Sequence, residues 1–325
     1  MSSISIIISS YNSENTILET LESVVNQTSS KWECVIVDDY SEDKTIELVN
    51  EFIRKNSGFK LVQKSYEVKG ANSSRNLGVQ FSKNNYISFI DSDDVLDKKF
   101  VFNRLKEVEN LNQPEVVFFP NYFRFKDDIS KSISITNYKD YNNTISIVND
   151  YLLMQEPLPF LISSGVWKRE MFKDESVFNE NYKRLQDVEM IIRFLLKEPS
   201  FKIINNNPDY YYRYEVDSNK IKQKRILYIE SSIMLYKDLI LNFNTIESFK
   251  RWELLKNLKR FANKSLKTVY LSKQFDYVFF KKTLEEFKQS NRVISFKSWS
   301  FFSFLKKIRI SDMPIINNVL FRMIK

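Results

Sequence analysis

Apolar and polar residues follow one another along the first hundred positions in a pattern that predicts alternating strands and helices. Short apolar runs of strand length occupy residues 4–9, 32–37, 59–62 and 86–90. The segments between them carry apolar residues three or four positions apart, a spacing typical of amphipathic helices. Strands that alternate with helices in this way predict βαβ units and a mostly parallel sheet, so the expected fold class is α/β.

The same reading extends to about residue 215 with less regular elements. Helices are predicted from near Glu14, after 41–44, within 70–82, from 98 to 110 and from Gln186-Asp187 onward. Further strands are expected at 115–125, at 163–167 and in the aromatic run 209–214. The Ser-, Asn- and Asp-rich segment 126–149 is expected to form an irregular hairpin or insertion.

Helical spacing dominates from about residue 219 to the end. The chain is therefore predicted to contain an α/β domain at 1–218 and a helical region at 219–325. No repeat of solenoid length is visible.

Acidic residues gather where two of the predicted strands end. The strand at 86–90 leads into Asp91, Asp93 and Asp94, and the strand at 32–37 leads into Asp38 and Asp39. The carboxyl ends of parallel strands meet at one edge of a sheet, where ligands bind in α/β folds. Crowded carboxylates repel one another, and hard cations such as Mg²⁺ or Mn²⁺ relieve that repulsion together with substrate phosphates. The pattern predicts a metal–diphosphate site.

Charge is concentrated at the C-terminal end. The whole chain carries a net charge of +8, of which residues 291–325 contribute +6. Aromatic residues lie among these basic ones, at Trp299, Phe301, Phe302 and Phe304. Such a segment suits an anionic membrane surface, although a basic helix pair that packs on the body or on a second subunit fits equally well.

Composition limits the chemistry and the compartment. Histidine is absent, so acid–base work must use carboxylates, Lys, Tyr or Cys. The single cysteine, Cys34, excludes an internal disulfide and is expected to be inert packing in a strand. The N-terminal residues resemble a first strand rather than a signal peptide, and no apolar run is long enough to span a bilayer. The expected location is cytoplasmic, with peripheral attachment to the inner face of the cytoplasmic membrane.

Four stretches of sequence carry a family resemblance. They read IISSYN at 7–12, VIVDDYSED at 35–43, GANSSRNLG at 70–78 and YISFIDSDD at 86–94. In this order and at these separations they resemble the nucleotide-binding half of inverting family-2 glycosyltransferases with the GT-A fold. The resemblance runs to about residue 215 and implies a nucleotide-binding half at 1–94 and an acceptor half at 95–218.

The resemblance implies a role for particular residues. Tyr11 would stack on the nucleotide base and Asp39 would accept the uracil imide N–H, which makes a UDP-sugar the expected donor. Arg75 would lie near the diphosphate. Asp91 would hold the ribose or a metal-bound water, and Asp93 of the Asp-x-Asp motif would ligate Mn²⁺ or Mg²⁺. The remaining residues expected in the nucleotide site are Ser9, Asp38, Gly70 and Ser92.

Asp187 matches the catalytic base of the family and would deprotonate the acceptor hydroxyl. The sequence departs from the family at Gln186, which replaces the more usual acid before the base. The family often carries a later histidine near the metal, and here Tyr214, Glu215 or Asp217 would have to substitute for it.

The resemblance therefore implies an inverting hexosyl- or N-acetylhexosaminyltransferase that builds a bacterial surface glycan, such as a capsule or lipooligosaccharide, on a glycan or lipid-linked acceptor. A catalytically inactive relative that still binds nucleotide stays open, as do a membrane-surface protein that acts through residues 291–325 and a homo-oligomer. A doubly wound oxidoreductase would carry Gly-x-Gly-x-x-Gly after the first strand, where this chain has no glycine. No nucleic-acid partner is expected.

Overall fold

The computed structural model describes residues 2–64, 69–154, 156–173, 176–214 and 221–241, together with 254, 256–258, 260, 261 and 264. A seven-stranded sheet forms the centre of the α/β part. Its strands run in the order β10-β6-β9-β4-β1-β2-β3. The bounds are β1 Ile4–Ser10, β2 Trp32–Asp38, β3 Phe59–Gln63, β4 Tyr86–Asp91, β6 Val116–Phe118, β9 Gly165–Lys168 and β10 Phe201–Ile203.

Parallel pairing dominates this sheet, as the sequence predicts. Strands β1, β2, β3 and β4 pair in parallel, as do β6 and β10, and only β9 runs antiparallel to its neighbours within the described sheet. A second sheet of four strands has the order β5-β11-β7-β8. Its members are β5 Val95–Leu96, β7 Tyr122–Phe125, β8 Ile133–Ile135 and β11 Tyr210–Arg213.

The helices lie mainly between these strands in the chain. They are α1 Ile17–Val25, α2 Thr45–Lys55, α3 Ala71–Phe81, α4 Phe100–Asn110, α5 Thr144–Leu153, α6 Gln186–Leu195 and α7 Ile221–Leu241. Short 3₁₀ helices occupy Ile129–Lys131, Ile162–Ser164 and Arg169–Phe172.

The two faces of the large sheet are covered by different helices. In β2, Cys34 and Ile36 face the cluster that contains apolar residues of α1, α2 and α4. Val35 and Val37 lie on the opposite face with Leu77 of α3. Side chains alternate between the faces of a strand, so a strand buried on both faces is apolar throughout. That is why residues 34–37 of β2 read as an uninterrupted apolar run.

Helix α3 approaches the sheet very closely. A Cβ atom on Gly78 would lie 2.4 Å from Cγ2 of Ile7 in β1, well inside van der Waals contact. Only a residue without a side chain fits there, and the close approach brings the polar face of α3 to the edge of the sheet.

Three predicted elements differ from the observed ones. The expected single strand at 115–125 is wrong, because β6 and β7 belong to different sheets and are separated by 119–121, which includes Pro120. In the segment 126–149, β8 pairs antiparallel with β7, which agrees with the expected hairpin, but the start of α5 was not expected there. Strand β10 is a further element without a sequence prediction. Helix α1 starts at Ile17, three residues after the expected position.

The chain divides into two compact units. Among the described residues, 2–151 and 156–214 belong to the first, and 152–154 belong to the second with those from 221 onward. The predicted boundary at 218/219 and the basic segment 291–325 lie outside the described residues. Within the described ranges, no helix combines the length and the apolarity that a membrane crossing requires.

Candidate active site

The acidic strand ends meet at one edge of the large sheet. Ser9 of β1 is the register partner of Asp91 in β4, and Ser10 is the partner of Asp38 in β2. Strand β1 connects to β2 on one side, whereas β4 lies on its other side. The carboxyl end of β1 is therefore a topological switch point, the place where α/β sheets bind ligands.

An open cleft of about 920 Å³ lies at this edge. Seven of the ten predicted site residues contribute to its lining, namely Ser9, Tyr11, Asp39, Arg75, Asp91, Ser92 and Asp93. The ring of Tyr11 is half exposed, which leaves its face open to a planar group. Three predicted residues, Asp38, Gly70 and Asp187, lie outside this lining.

Arg75 and Asp91 form an ion pair inside the cleft. Nη2 of Arg75 donates to Oδ1 of Asp91 across 2.6 Å. The guanidinium also lies over the ring of Phe178, with its carbon 5.2 Å from the ring centroid. Arg75 is buried, whereas the Asp91 side chain is about one-third exposed. The pair therefore offers the cleft a fixed cation and an accessible carboxylate.

The loop that carries Ser92 and Asp93 is tied to helix α1. The main-chain oxygen of Ser92 accepts hydrogen bonds from Thr16 and Thr20, each at 3.1 Å. Thr20 also donates to the main-chain oxygen of Asp94 at 2.8 Å. These hydroxyls hold the loop so that Asp93 lines the cleft.

Arg213 of β11 fixes the other side of this loop. Its Nε donates to the main-chain oxygen of Asp93 at 2.8 Å, and its backbone N–H donates to Oδ1 of Asp94 at 2.9 Å. Its guanidinium also pairs with Glu19 of α1. Asp94 is buried, and burial raises its pKa, an effect that the neighbouring charges of Asp91 and Asp93 strengthen. Asp94 therefore supports the loop rather than facing the cleft.

Asp39 is held by groups from β3 and from the start of α3. Nζ of Lys64 lies 2.5 Å from Oδ1 of Asp39, and the N–H of Gly70 donates to Oδ2 at 2.7 Å. The Lys64 ammonium also contacts Oγ of Ser73 at 2.5 Å and the main-chain oxygen of Gly70 at 3.3 Å. Gly70 thus contributes to the site through its backbone, at a φ of 128° that favours glycine.

Asp38 has a different environment from the one predicted. Its two carboxylate oxygens accept the backbone N–H of Ser41 at 2.9 Å and the hydroxyl of Ser41 at 2.6 Å. This arrangement is a side-chain-capped turn, which is the usual role of an aspartate after a strand.

Asp187 lies in the first turn of helix α6, as the sequence predicts. Leu185, two residues before Asp187, has a φ of 56° and turns the chain into the helix. Burial raises the pKa of Asp187, and the charge of Arg75 counteracts part of that effect. Burial raises the pKa of the Tyr212 hydroxyl to about 12, and the charges of Asp94, Asp91, Asp93 and Asp187 add to this effect. Asp187 therefore lies within electrostatic reach of the cleft carboxylates.

Two amides of helix α3 hold the segment that leads to Asp187. Nδ2 of Asn72 donates to the main-chain oxygens of Asn179 and Tyr182, at 2.7 and 3.2 Å. Asn76 donates to the main-chain oxygen of Phe178 at 2.9 Å and accepts its N–H at 2.8 Å. Helix α3 thus connects the cleft to the segment 178–182 that precedes Asp187.

The carboxylates that line the cleft suit a divalent cation that leaves some of its coordination positions to substrate oxygens. Within the described ranges, no group of three or more His, Cys, Asp or Glu side chains is arranged to hold a metal ion. Asp91 and Asp93 nevertheless present two carboxylates to one cleft. Mg²⁺ is typically bound by one or two carboxylates together with phosphate oxygens and water, so these residues suffice.

Sequence reasoning missed several residues that build the site: Lys64, Asn72, Asn76, Lys126, Asp127 and Arg213. For Asn72 and Asn76 the sequence does carry a signal, because the 11-residue helix α3 contains five consecutive polar residues at 72–76 and has little apolar face. The structure buries all five of them. For Lys64 and Arg213 no local pattern distinguishes them from surface cations.

Comparisons with known proteins agree with the fold. The family described as "Glycosyl transferase family 2" matches residues 5–174, and the chain belongs to this family. Its fold is of the GT-A type. Among solved structures, S. aureus TarS 1-349 has a TM-score of 0.67 at 18% identity and covers 89% of this chain and 80% of its own. The mannosyltransferase PcManGT from Pyrobaculum calidifontis, in complex with GDP-Man and Mn²⁺, has a TM-score of 0.57 at 12% identity, covering 98% and 82%.

Two curated relatives illustrate the family further. The poly(ribitol-phosphate) beta-glucosyltransferase of Bacillus spizizenii is 26% identical over 64% of this chain and 32% of its own length. The UDP-Glc:alpha-D-GlcNAc-diphosphoundecaprenol beta-1,3-glucosyltransferase WfaP of Escherichia coli is 37% identical over 39% of this chain and 49% of its own. The chain thus matches half or less of the length of these two relatives.

Proposed function

We propose that this chain transfers a sugar from a UDP-sugar to a hydroxyl group of a glycan or lipid-linked glycan, with inversion at the anomeric carbon. The observation that carries the proposal is the single cleft that Tyr11, Asp39, Arg75, Asp91 and Asp93 line together. Membership of glycosyl transferase family 2 supports it. The names of the two curated relatives, a glucosyltransferase and a UDP-Glc-dependent enzyme with a diphosphoundecaprenol acceptor, support the donor and acceptor classes.

The nucleotide end of the donor fits the part of the cleft near β1 and β2. The half-exposed ring of Tyr11 offers a face on which a base can stack. The carboxylate of Asp39 offers an acceptor for the uracil imide N–H.

The diphosphate end fits the opposite part. Arg75 contributes a buried guanidinium, and such a fork suits phosphate oxygens. Asp91 and Asp93 would hold a Mg²⁺ or Mn²⁺ ion, which when bound supplies positive charge that stabilises the leaving diphosphate.

Asp187 is the base in this proposal. As the acceptor oxygen forms its bond to the anomeric carbon, the bond to the diphosphate breaks and the hydroxyl proton passes to the Asp187 carboxylate. Burial raises the pKa of Asp187, which makes its carboxylate a better proton acceptor than an exposed aspartate.

The proposal is tested by thermal unfolding of the full chain with Mn²⁺ present and with UDP, GDP, dTDP or CMP added, against Mn²⁺ alone. A ligand that binds the folded state stabilises it by about 2.7 kcal/mol at a hundredfold excess over the dissociation constant. We expect UDP to raise the midpoint more than the other three nucleotides. A larger shift with GDP would overturn the choice of donor, and no shift with any nucleotide would overturn the proposal as a whole.

Transfer itself distinguishes an enzyme from an inactive relative that binds nucleotide. Incubation with UDP-glucose or UDP-N-acetylglucosamine and a diphosphoundecaprenol-linked acceptor should release UDP and give a β-linked product by NMR. Stable UDP binding without release under any of these conditions would favour the inactive relative.

The basic, aromatic segment 291–325 supports a further part of the proposal, peripheral attachment to an anionic membrane such as the inner face of the cytoplasmic membrane. The chain should sediment with anionic but not with neutral vesicles. If it sediments with neither and light scattering reports a dimer, the segment serves subunit contact instead.

A further inference from the structure

Lys64 is a buried cation at the nucleotide end of the cleft. Its side chain is fully buried, and its partner Asp39 is about one-tenth exposed. The ammonium is surrounded by Asp39, Ser73 and Gly70, with contacts of 2.5, 2.5 and 3.3 Å. Lysine is almost never fully buried unless it is paired, and this pairing places it directly behind a residue that lines the cleft.

The contacts fix the Asp39 carboxylate in position. Lys64 occupies Oδ1 and the N–H of Gly70 occupies Oδ2, so the carboxylate cannot rotate without losing both partners. Its own backbone N–H is bound to the main-chain oxygen of Ser10 in β1 at 2.8 Å. A buried carboxylate without a cation is costly, and the adjacent ammonium removes that cost.

An ionised carboxylate only accepts hydrogen bonds, whereas a neutral carboxyl group can also donate one. Uracil presents an imide N–H at ring position 3, and cytosine presents an unprotonated acceptor nitrogen there. A group held as a pure acceptor therefore favours uracil and rejects cytosine, because a carboxylate facing a ring acceptor leaves both groups unpaired.

We propose that Lys64 is a specificity-determining positioning residue that holds the Asp39 carboxylate oriented as a hydrogen-bond acceptor and so selects uracil over cytosine. This inference rests on the proposed function, since it assumes that the cleft binds the base of a nucleoside diphosphate. Ser73 shares the role, because its hydroxyl contacts the Lys64 ammonium and donates to Gly70 at 2.9 Å. Lys64 does not itself touch the base.

The test measures the UDP and CDP affinity of the full chain by calorimetry with Mn²⁺ present, in the wild type and in the Lys64→Met variant. Loss of a charge-assisted contact predicts UDP binding about tenfold weaker, with the UDP-over-CDP preference reduced by a similar factor. The matched control is Arg104→Met, which removes another buried cation, paired with Asp209 at 3.1 Å. A merely structural role predicts that both variants lose stability and neither changes the preference.

A milder pair of variants decides the question even if Lys64→Met fails to fold. Ser73→Ala removes one contact of the ammonium, whereas Ser82→Ala removes a buried serine hydroxyl bound to Val79 at 2.7 Å near the other end of α3. We expect the UDP-over-CDP preference to fall in Ser73→Ala and to stay at the wild-type value in Ser82→Ala. The inference is overturned if the UDP-over-CDP preference is unchanged in both Lys64→Met and Ser73→Ala. If Lys64→Met is unfolded, an unchanged preference in Ser73→Ala alone overturns it. Either result leaves the proposed function standing. Failure of the wild-type chain to bind UDP overturns the proposed function itself.

Discussion

The guanidinium of Arg75 and the carboxylate of Asp91 meet at 2.6 Å where helix α3 reaches the carboxyl end of β4. This pair joins the helix that carries the site's buried polar residues to the strand that carries its acidic loop. It also places a cation beside the carboxylates that would bind a metal ion, so the two signs of charge that a diphosphate site needs lie side by side.

Replacement of Arg75 should weaken nucleotide binding. Arg75→Ala removes a charge-assisted hydrogen bond and the contact with Phe178, so UDP affinity should fall on the order of tenfold to a hundredfold. Arg75→Lys should rescue little of it, because an ammonium cannot reproduce the planar fork. Calorimetry with UDP measures both, and Arg54→Ala, which alters an exposed residue of α2, is the control. Wild-type affinity in Arg75→Ala would refute this role.

Asp187→Asn should separate binding from transfer. The amide keeps the size of the side chain but cannot act as a base that takes the proton from the acceptor hydroxyl. We therefore expect kcat to fall about 10²- to 10⁴-fold. UDP affinity should stay at the wild-type value, because Asp187 lies outside the lining of the cleft. UDP release under saturating acceptor measures the first quantity and calorimetry the second. Full activity in Asp187→Asn would exclude it as the base.

The pH dependence of kcat/KM should report the same residue. Asp187 must be deprotonated to act, so activity falls as the pH drops through its pKa. Burial raises that pKa, and the acidic limb should therefore lie above the ordinary aspartate value of about 3.9. Loss of the Arg75 charge removes a factor that lowers this pKa, so the limb of Arg75→Ala should move to still higher pH. A limb that moves to lower pH would contradict the electrostatic assignment.

Asn76→Ala should impair transfer more than donor binding. The substitution removes the two hydrogen bonds to Phe178 and one to Glu180, at 3.0 Å, that hold the segment before α6. We expect a stability loss of about 1–3 kcal/mol and a lower kcat with UDP affinity retained. Denaturant unfolding, UDP release and calorimetry measure the three quantities. Asn50→Ala, on the exposed side of α2, should change none of them.

The pattern of apolar runs predicted the sheet well because β1, β2 and β4 are buried on both faces and read as mostly apolar segments. The acidic strand ends then located the cleft, since parallel strands necessarily end at one edge. The error at 115–125 came from two adjacent apolar runs that are separated by only three residues, 119–121, yet join different sheets. Local pattern carries no information about which sheet a strand joins.

The supporting residues were harder to predict for a physical reason. Lys64, Asn72 and Asn76 are polar residues of types that are usually exposed, and their burial depends on partners 6 to 110 positions away. Asp38 and Asp39 show the converse. They are adjacent and identical in type, yet one caps a turn and the other lines the cleft.

The central claim is that the cleft at the end of β1 and β4 binds a nucleoside diphosphate together with a divalent cation. Calorimetric titration of UDP with Mn²⁺ or with EDTA, in the wild-type chain and in Asp93→Asn, tests it most directly. We expect UDP binding that requires Mn²⁺ and that is lost, or weakened by more than about tenfold, in Asp93→Asn. Equal UDP affinity with and without metal, unchanged in Asp93→Asn, would contradict it.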